Sequence, residues 1–154
     1  MKILMTDDDS DDRLLALLAF KKLNLAHSLD FVENGEELME YLLSRANAHR
    51  ELPDLILLDL NMPKMDGREA LRLIKANVKL AHLNIIIYST SASEIDKKYS
   101  EDLGAKRYIT KPSNQSELIW IFKSICDELG EKPGWRYSVE KPIRKERKMP
   151  LQNI

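Results

Sequence analysis

Cysteine, long apolar runs and a dominant sign of charge are all scarce in this sequence of 154 residues. Cys126 is the single cysteine, so no disulfide can form within the chain, and we expect a reducing, cytoplasmic location. The longest apolar run is LLALLAF, whereas a membrane-spanning helix needs about 20 apolar residues. The start, MKILMTDDD, loses its apolar character after Met5, which argues against a secretory signal. We therefore expect no contact with a membrane.

The charges are nearly balanced overall but unevenly distributed along the chain. The formal net charge is −1, yet residues 130–154 carry seven Lys and Arg against three Asp and Glu, a net charge of +4. Residues 1–129 therefore have a net charge of −5. The later segment also contains three prolines and lacks helical or strand periodicity. We expect an acidic domain over residues 1–129 and a basic C-terminal tail over residues 130–154. The tail is too short for a DNA-binding fold of its own, and we do not expect DNA as a partner.

Short apolar runs alternate with helical patterns in the first part of the chain, which is typical of βαβ units and a parallel sheet. LILL and NIIIY are apolar without alternation, so we expect them as central strands covered on both faces. The predicted strands span residues 2–6, 28–32, 55–58, 84–88 and 107–109. The predicted helices span residues 10–23, 35–46, 67–76, 93–103 and 114–129. The pattern predicts an α/β fold with a doubly wound, five-stranded parallel sheet.

Short polar residues and glycines mark the ends of these helices. The predicted N-caps are Ser10, Asn34, Ser93 and Asn114. Asp66–Gly67 is expected to form a turn and a further helix cap. Gly104 and Gly130 lie where helices are expected to stop.

Polar side chains follow several of the predicted strands. In open α/β sheets ligand sites lie outside the carboxyl ends of the strands, so these side chains are expected to meet at one edge. They are Asp7, Asp8 and Asp9 after strand one, Asp59 and Asn61 after strand three, Ser89, Thr90 and Ser91 after strand four, and Thr110, Lys111 and Pro112 after strand five. Two carboxylates 4 Å apart repel by roughly 4 kcal/mol at an effective dielectric constant of 20, and a divalent cation would relieve this repulsion. A sparse set of carboxylates suits Mg²⁺ better than Ca²⁺. With a metal ion and a lysine beside it, Asp59 is positioned to accept a phosphoryl group.

The acidic stretch DDDSDD has a simpler interpretation as well. Carboxylates are favoured at a helix N-terminus whether or not a metal ion binds there. We favour the metal site for Asp7 and Asp8, and a solvated cap for the other acids of the stretch, Asp9, Asp11 and Asp12. A phosphatase of the haloacid dehalogenase type also uses an aspartate at a strand end, but it needs a second acid two residues later. This chain has Asn61 there.

Four motifs together resemble the response regulator receiver domains of two-component signalling. They are TDDD after strand one, LLDLNMPKMDG, YSTSA after strand four and YITKP after strand five, all within residues 1–129. The resemblance implies a flavodoxin-like (βα)5 fold with strand order 2-1-3-4-5, the order of the chemotaxis member of this family. It also implies a phosphoacceptor that assists its own phosphorylation and dephosphorylation, and not an enzyme in the ordinary sense.

The resemblance assigns roles in metal binding and phosphoryl transfer. Asp59 is the expected phosphoacceptor, and the expected cofactor is Mg²⁺. The expected metal ligands are Asp7, Asp8, Asp59 and the backbone carbonyl of Asn61. Of these, Asp8 is expected to bind the metal ion directly and Asp7 to act mainly through water.

The resemblance also assigns roles to residues at the fourth and fifth predicted strands. Lys111 is expected to pair with the phosphoryl oxygens and Ser89 to hydrogen-bond one of them. Tyr108 matches the aromatic position that swings inward when Ser89 moves. The peptide bond between Lys111 and Pro112 is expected to be cis.

The resemblance implies a single-domain response regulator that is phosphorylated by a sensor histidine kinase or a histidine phosphotransfer protein. An intermediate phosphoryl carrier in a multistep phosphorelay is an alternative that uses the same site, and a phosphorylation-independent binding module is another. We expect output through protein contacts, with a downstream target that binds residues 93–125, and a homodimer is possible.

The fourth predicted helix carries few apolar residues. Ile95, Tyr99 and Leu103 form a narrow apolar line among charged positions. So narrow a stripe buries little surface, and we expect a weakly held helix that shifts when Asp59 is phosphorylated.

Overall fold

The computed structural model describes residues 1–24 and 28–130, and the predicted basic tail lies outside the described residues apart from Gly130. The strands are β1 (Lys2–Thr6), β2 (Ser28–Val32), β3 (Leu55–Leu58), β4 (Asn84–Ser89) and β5 (Arg107–Thr110). The helices are α1 (Ser10–Lys22), α2 (Gly35–Asn47), α3 (Gly67–Ala76), α4 (Glu94–Asp102) and α5 (Gln115–Glu128). All strand pairs are parallel, in the order β2-β1-β3-β4-β5. The predicted doubly wound α/β sheet is confirmed. In the described part of the chain, no helix combines the length and the apolar character needed to span a membrane.

The central strand β3 shows how the sheet is covered on both faces. Leu55 and Leu57 join a core cluster with residues of α1 and α5, whereas Ile56 and Leu58 join a second cluster with residues of α2 and α3. The alternation follows from the two-residue period of a strand. All four side chains are fully buried, which explains the unbroken apolar run. The first polar side chain after this run is Asp59, which lies where the strand ends.

A capping side chain lies at the N-terminus of each described helix and fixes where the preceding loop ends. Asn34, Asp66, Ser93 and Asn114 each accept a hydrogen bond from a backbone N–H of the helix that follows, as predicted. The prediction of Ser10 as a cap was wrong, because Asp9 caps α1 by accepting from the backbone N–H groups of Asp11 and Asp12. The carboxylate of Asp9 is an acceptor only, and a negative charge is favoured at this end of a helix.

The apolar stripe of α4 lies largely at the surface and buries little area, as its narrow pattern indicated. Ile95 is 81% exposed and Tyr99 37%, whereas Asp96 and Ser100 face the interior. Leu103, just beyond the helix, packs against the core as expected. A polar face can be buried here because its groups have partners, which removes the main cost of burial.

An ion pair connects α4 with α3. The Arg68 guanidinium of α3 donates two hydrogen bonds of 2.7 Å to the carboxylate of Asp96. Ser91 Oγ donates a third, also of 2.7 Å. The bonds from Arg68 lower the pKa of Asp96, so this carboxylate stays charged at neutral pH. The connection between these helices is therefore a directional pair, and the apolar side chains Ile95 and Tyr99 remain available on the surface.

Candidate functional site

Two buried carboxylates lie side by side at the carboxyl ends of adjacent strands. Asp7 follows β1 and is fully buried, and Asp59 follows β3 and is 6% exposed. The backbone N–H of Asp59 donates to the carbonyl of Thr6 at 3.0 Å, which continues the pairing of the two strands. Carboxylate oxygens of Asp7, Asp59 and the exposed Asp8 lie within 4.8 Å of one another. The structure thus brings together the three acids that the sequence predicted as a cluster.

The Lys111 ammonium lies against this cluster. Its Nζ is 2.7 Å from Asp7, 2.7 Å from Asp12 and 3.3 Å from Asp59. The backbone N–H of Lys111 donates to the Ser89 carbonyl at 2.8 Å, so the pairing of β4 and β5 fixes where the side chain starts. Burial by itself lowers the pKa of Lys111, but its hydrogen bonds to Asp12 and Asp7 outweigh burial and raise the pKa above the ordinary value. The site therefore holds one firmly protonated ammonium.

One ammonium does not balance the carboxylates around it. Burial raises the pKa of Asp7 above its ordinary value in spite of the hydrogen bond from Lys111. Its charged form is thus costly, and a further positive charge would stabilise it. Every candidate ligand in the cluster is a carboxylate oxygen, and oxygen donors are those that hard divalent cations such as Mg²⁺ prefer. The residues present fit a divalent metal ion.

The peptide bond between Lys111 and Pro112 is trans, and the expectation of a cis bond was wrong. Trans is the favoured form of a peptide bond before proline, by roughly 0.5–1 kcal/mol. With the bond in this form, the Lys111 ammonium contacts the carboxylates of Asp7, Asp12 and Asp59.

Gly67 fits closely against the loop that carries Asp59. A Cβ atom at this position would overlap the backbone carbonyl oxygen of Asp59 and lie 2.8 Å from Leu60 Cα. The backbone N–H of Gly67 donates to the Leu60 carbonyl at 3.0 Å, and Asp66 caps the helix. The first turn of α3 therefore packs directly on the backbone of Asp59, and any side chain here would displace it.

Ser89 and Tyr108 are connected through the loop after β4. The buried Ser89 hydroxyl accepts a hydrogen bond from the Ser91 N–H at 3.3 Å. Tyr108 donates from its hydroxyl to the Ser91 carbonyl at 2.8 Å. Since Ser91 also donates to Asp96, this loop connects the end of β4 to α4. Asn61 is exposed, and its N–H donates to Asp59 Oδ1 at 3.3 Å.

Asp12 is the residue of this site that sequence reasoning missed. We interpreted it as a solvated acid of the helix cap, and that interpretation was wrong, since its Oδ2 lies 2.7 Å from Lys111 Nζ. Asp9 is the cap and Asp11 is exposed, as expected for the other two acids. The contact depends on the start of α1. With the cap at Asp9, the third residue of the first turn is Asp12, and this turn faces the site.

The chain belongs to the response regulator receiver domain family, because the model of that family matches residues 3–123. The family acts in two-component signalling, and phosphorylation of an aspartate is one of its general properties. Receiver domains also bind a divalent metal ion at their aspartate cluster and interact with histidine kinases or phosphotransfer proteins.

Individual relatives support this assignment. Response regulator Rcp1 of Synechocystis sp. is 34% identical over 124 residues, which cover 80% of this chain and 84% of that protein. The crystal structure of the phosphorylated cyanobacterial phytochrome response regulator RcpA is 42% identical with a TM-score of 0.74, covering 82% of this chain and 91% of that one. The Mn²⁺-bound form of Rcp1 is 33% identical with a TM-score of 0.72, at the same coverages. The family resemblance and the predicted strand order are confirmed.

Proposed function

We propose that this chain is a response regulator that accepts a phosphoryl group on Asp59 from a phosphorylated histidine, in a Mg²⁺-dependent reaction. The proposal depends on one observation: the nearly buried carboxylate of Asp59 lies beside the carboxylates of Asp7 and Asp8 and 3.3 Å from the Lys111 ammonium. A nucleophile in this position is held rigidly at the end of a strand. Catalysis then consists mostly of positioning and charge stabilisation.

The residues around Asp59 divide the work of transfer. A carboxylate oxygen of Asp59 forms a bond to phosphorus while the phosphorus–nitrogen bond of the donor histidine breaks, which leaves an acyl phosphate. Asp7, Asp8, Asp59 and the Asn61 carbonyl would hold Mg²⁺, which when bound supplies positive charge against the phosphoryl oxygens. Lys111 supplies a second positive charge there. The Ser89 hydroxyl donates to one of these oxygens.

Incubation with acetyl phosphate and Mg²⁺ tests the acceptor. We expect intact-mass measurement to show the gain of one phosphoryl group in the wild type and none in Asp59→Asn. The control is Asp127→Asn, which removes a carboxylate paired with Lys123 on the surface of α5 and is expected to label as the wild type does. Labelling of Asp59→Asn to the wild-type extent would contradict the proposal.

An apolar patch beside the site is suited to docking the kinase. Leu14, Leu15 and Leu18 of α1 are 54%, 42% and 39% exposed, and their spacing places them on one face of the helix. Leu15 also lines a cavity of about 170 Å³ that Lys111 shares. A helical partner that covers these leucines would bring its histidine to the mouth of the site. We propose that the phosphodonor protein contacts this patch.

Replacing Leu18 with serine tests this surface. We expect phosphotransfer from a histidine kinase that labels the wild type to slow by about tenfold, because the loss of an apolar contact in an interface costs on the order of 1–2 kcal/mol. Labelling by acetyl phosphate should be unchanged, since this small donor needs no docking surface. The matched control is Ile95→Ser on α4, which removes an even more exposed apolar side chain. Equal slowing by both variants would contradict a specific role of α1.

We further propose that the output surface lies within residues 93–125 and centres on α4. The exposed side chains of Ile95 and Tyr99 provide apolar contact area, and the bonded chain Tyr108–Ser91–Asp96 connects this helix with the loop after Ser89. The same phosphorylated sample serves as the test. We expect faster or slower amide hydrogen exchange in residues 93–110 on phosphorylation, and unchanged exchange would contradict the assignment.

A further inference from the structure

The three protons of the Lys111 ammonium all have acceptors. Nζ contacts Asp7 and Asp12 at 2.7 Å each, and Asp59 at the longer distance of 3.3 Å. An ammonium has three N–H donors and no more. If Lys111 is to donate to a phosphoryl oxygen on Asp59, as the proposed function requires, one of these bonds must be given up.

Asp12 is the acceptor that can be released at least cost. Its side chain is 29% exposed, so water can replace the lost hydrogen bond. Asp7 is fully buried, so loss of the lysine would leave a buried charge without this partner. Asp59 carries the incoming group. The two short bonds of Lys111 therefore differ in the cost of breaking them, and exposure decides which one breaks.

We propose that Asp12 is a positioning residue that holds Lys111 in the unphosphorylated state and so slows phosphorylation of Asp59. The proposal rests on the proposed function. In the unphosphorylated site, Lys111 Nζ lies 2.7 Å from Asp12 and 3.3 Å from Asp59, so the hydrogen bond to Asp12 holds the ammonium more tightly than the one to the residue that is phosphorylated. Release of this contact is part of the barrier to transfer. Asp12 also lies close enough to repel the negative charge of the phosphoryl group, which acts in the same direction.

The first turn of α1 provides a matched control. Asp11 precedes Asp12, belongs to the same helical turn and interacts equally with the helix dipole. It is exposed, and no bond from its side chain to Lys111 is found among the described residues. Replacing either residue with alanine removes one negative charge and one first-turn acid. Only the Asp12 variant removes a hydrogen-bond acceptor of the Lys111 ammonium.

The experiment compares phosphorylation by acetyl phosphate at a fixed Mg²⁺ concentration in the wild type, Asp12→Ala and Asp11→Ala. We expect Asp12→Ala to be phosphorylated about three to ten times faster than the wild type, as the loss of a competing charged hydrogen bond at a partly exposed site implies. Asp11→Ala should stay within about twofold of the wild type. Equilibrium binding of beryllofluoride, a phosphoryl mimic, should tighten by the same factor in Asp12→Ala alone. A purely structural role of Asp12 would not tighten this binding.

Several outcomes would overturn the inference. They are an unchanged or lower rate in Asp12→Ala, equal acceleration in both variants, and unchanged affinity for beryllofluoride. If Asp12→Ala does not fold, Asp12→Asn replaces it, since an amide keeps the shape but holds the ammonium less tightly. Failure of the proposed function gives a different result, because the wild type would then acquire no phosphoryl group at all.

Discussion

Replacing Lys111 with methionine should lower the free energy of unfolding by about 3–5 kcal/mol at neutral pH in the absence of Mg²⁺, because it leaves buried carboxylates without their counter-charge. The side chains of Lys111, Asp7 and Asp59 are all 7% exposed or less, so water cannot take over the role of the ammonium. Methionine keeps most of the apolar stem of lysine, which limits the loss of packing. Chemical denaturation followed by circular dichroism measures the difference.

The pH dependence of this loss follows from the direction of the Asp7 shift. Burial already raises the pKa of Asp7 in the folded protein, and removal of Lys111 raises it further. In the window between the ordinary pKa and the raised one, the folded state binds more protons than the unfolded state, so the variant gains stability as the pH falls through that window. The deficit is therefore expected to be largest at neutral pH and to shrink on acidification. Mg²⁺ at neutral pH should also reduce it, since a cation in the cluster replaces part of the missing charge.

Lys123→Met is the control for Lys111→Met. Lys123 pairs with Asp127 on the exposed surface of α5, where an ion pair is worth between about 0 and 1 kcal/mol. We expect a small change that depends little on pH. A loss in Lys111→Met no larger than this, or one that persists unchanged at low pH, would show that the ammonium does not compensate the buried acids.

Gly67→Ala is expected to have the second large effect, a loss of about 3 kcal/mol or more together with slower phosphorylation. The added methyl group would overlap the backbone carbonyl oxygen of Asp59, and backbone cannot rotate away as a flexible side chain can. Overpacking commonly costs 1–3 kcal/mol, and a clash with backbone lies at or above the top of that range. Either the first turn of α3 or the loop carrying the acceptor must move. Denaturation and acetyl phosphate labelling measure the two effects.

A variant at a second glycine, Gly104, distinguishes the effect of steric overlap with the backbone from the effect of backbone strain. Gly104 has a φ of +89°, so alanine there is strained by roughly 1–2 kcal/mol, but the nearest atom to its Cβ is Lys75 Cε at 3.9 Å. Gly104→Ala should therefore be destabilised while its phosphorylation rate is unchanged. If both variants label at the wild-type rate, close packing of Gly67 on Asp59 is not needed for the chemistry.

The sheet and the position of Asp59 could be predicted from the sequence because they depend on short-range rules. An apolar run as short as LILL favours a strand covered on both faces, and carboxyl ends of parallel strands meet at one edge. The start of α1 was harder, because two neighbouring residues, Asp9 and Ser10, both suit a cap. A shift of one residue in the predicted start of α1 changes whether Asp12 is expected to face water or Lys111. Local propensity does not contain that information.

The orientation of α4 could not be predicted for a different reason. Apolar periodicity assigns the buried face of a helix on the assumption that the core accepts only apolar side chains. Here Arg68 of another helix supplies the partner for Asp96, and this long-range contact overrides the apolar pattern of Ile95 and Tyr99. A pairing between residues that are far apart in one sequence leaves no periodic signal.

The attachment of α4 through Asp96 has a consequence for how this helix can move. Packed methyl groups tolerate gradual sliding, because dispersion contacts depend little on direction. A forked guanidinium–carboxylate pair has a single best geometry, with both bonds of 2.7 Å formed together. A small displacement breaks both bonds together, so α4 is suited to a few discrete positions rather than a continuum. A helix held in this way can act as a two-state element. It would convert a gradual displacement of the loop after β4 into a change between two discrete positions.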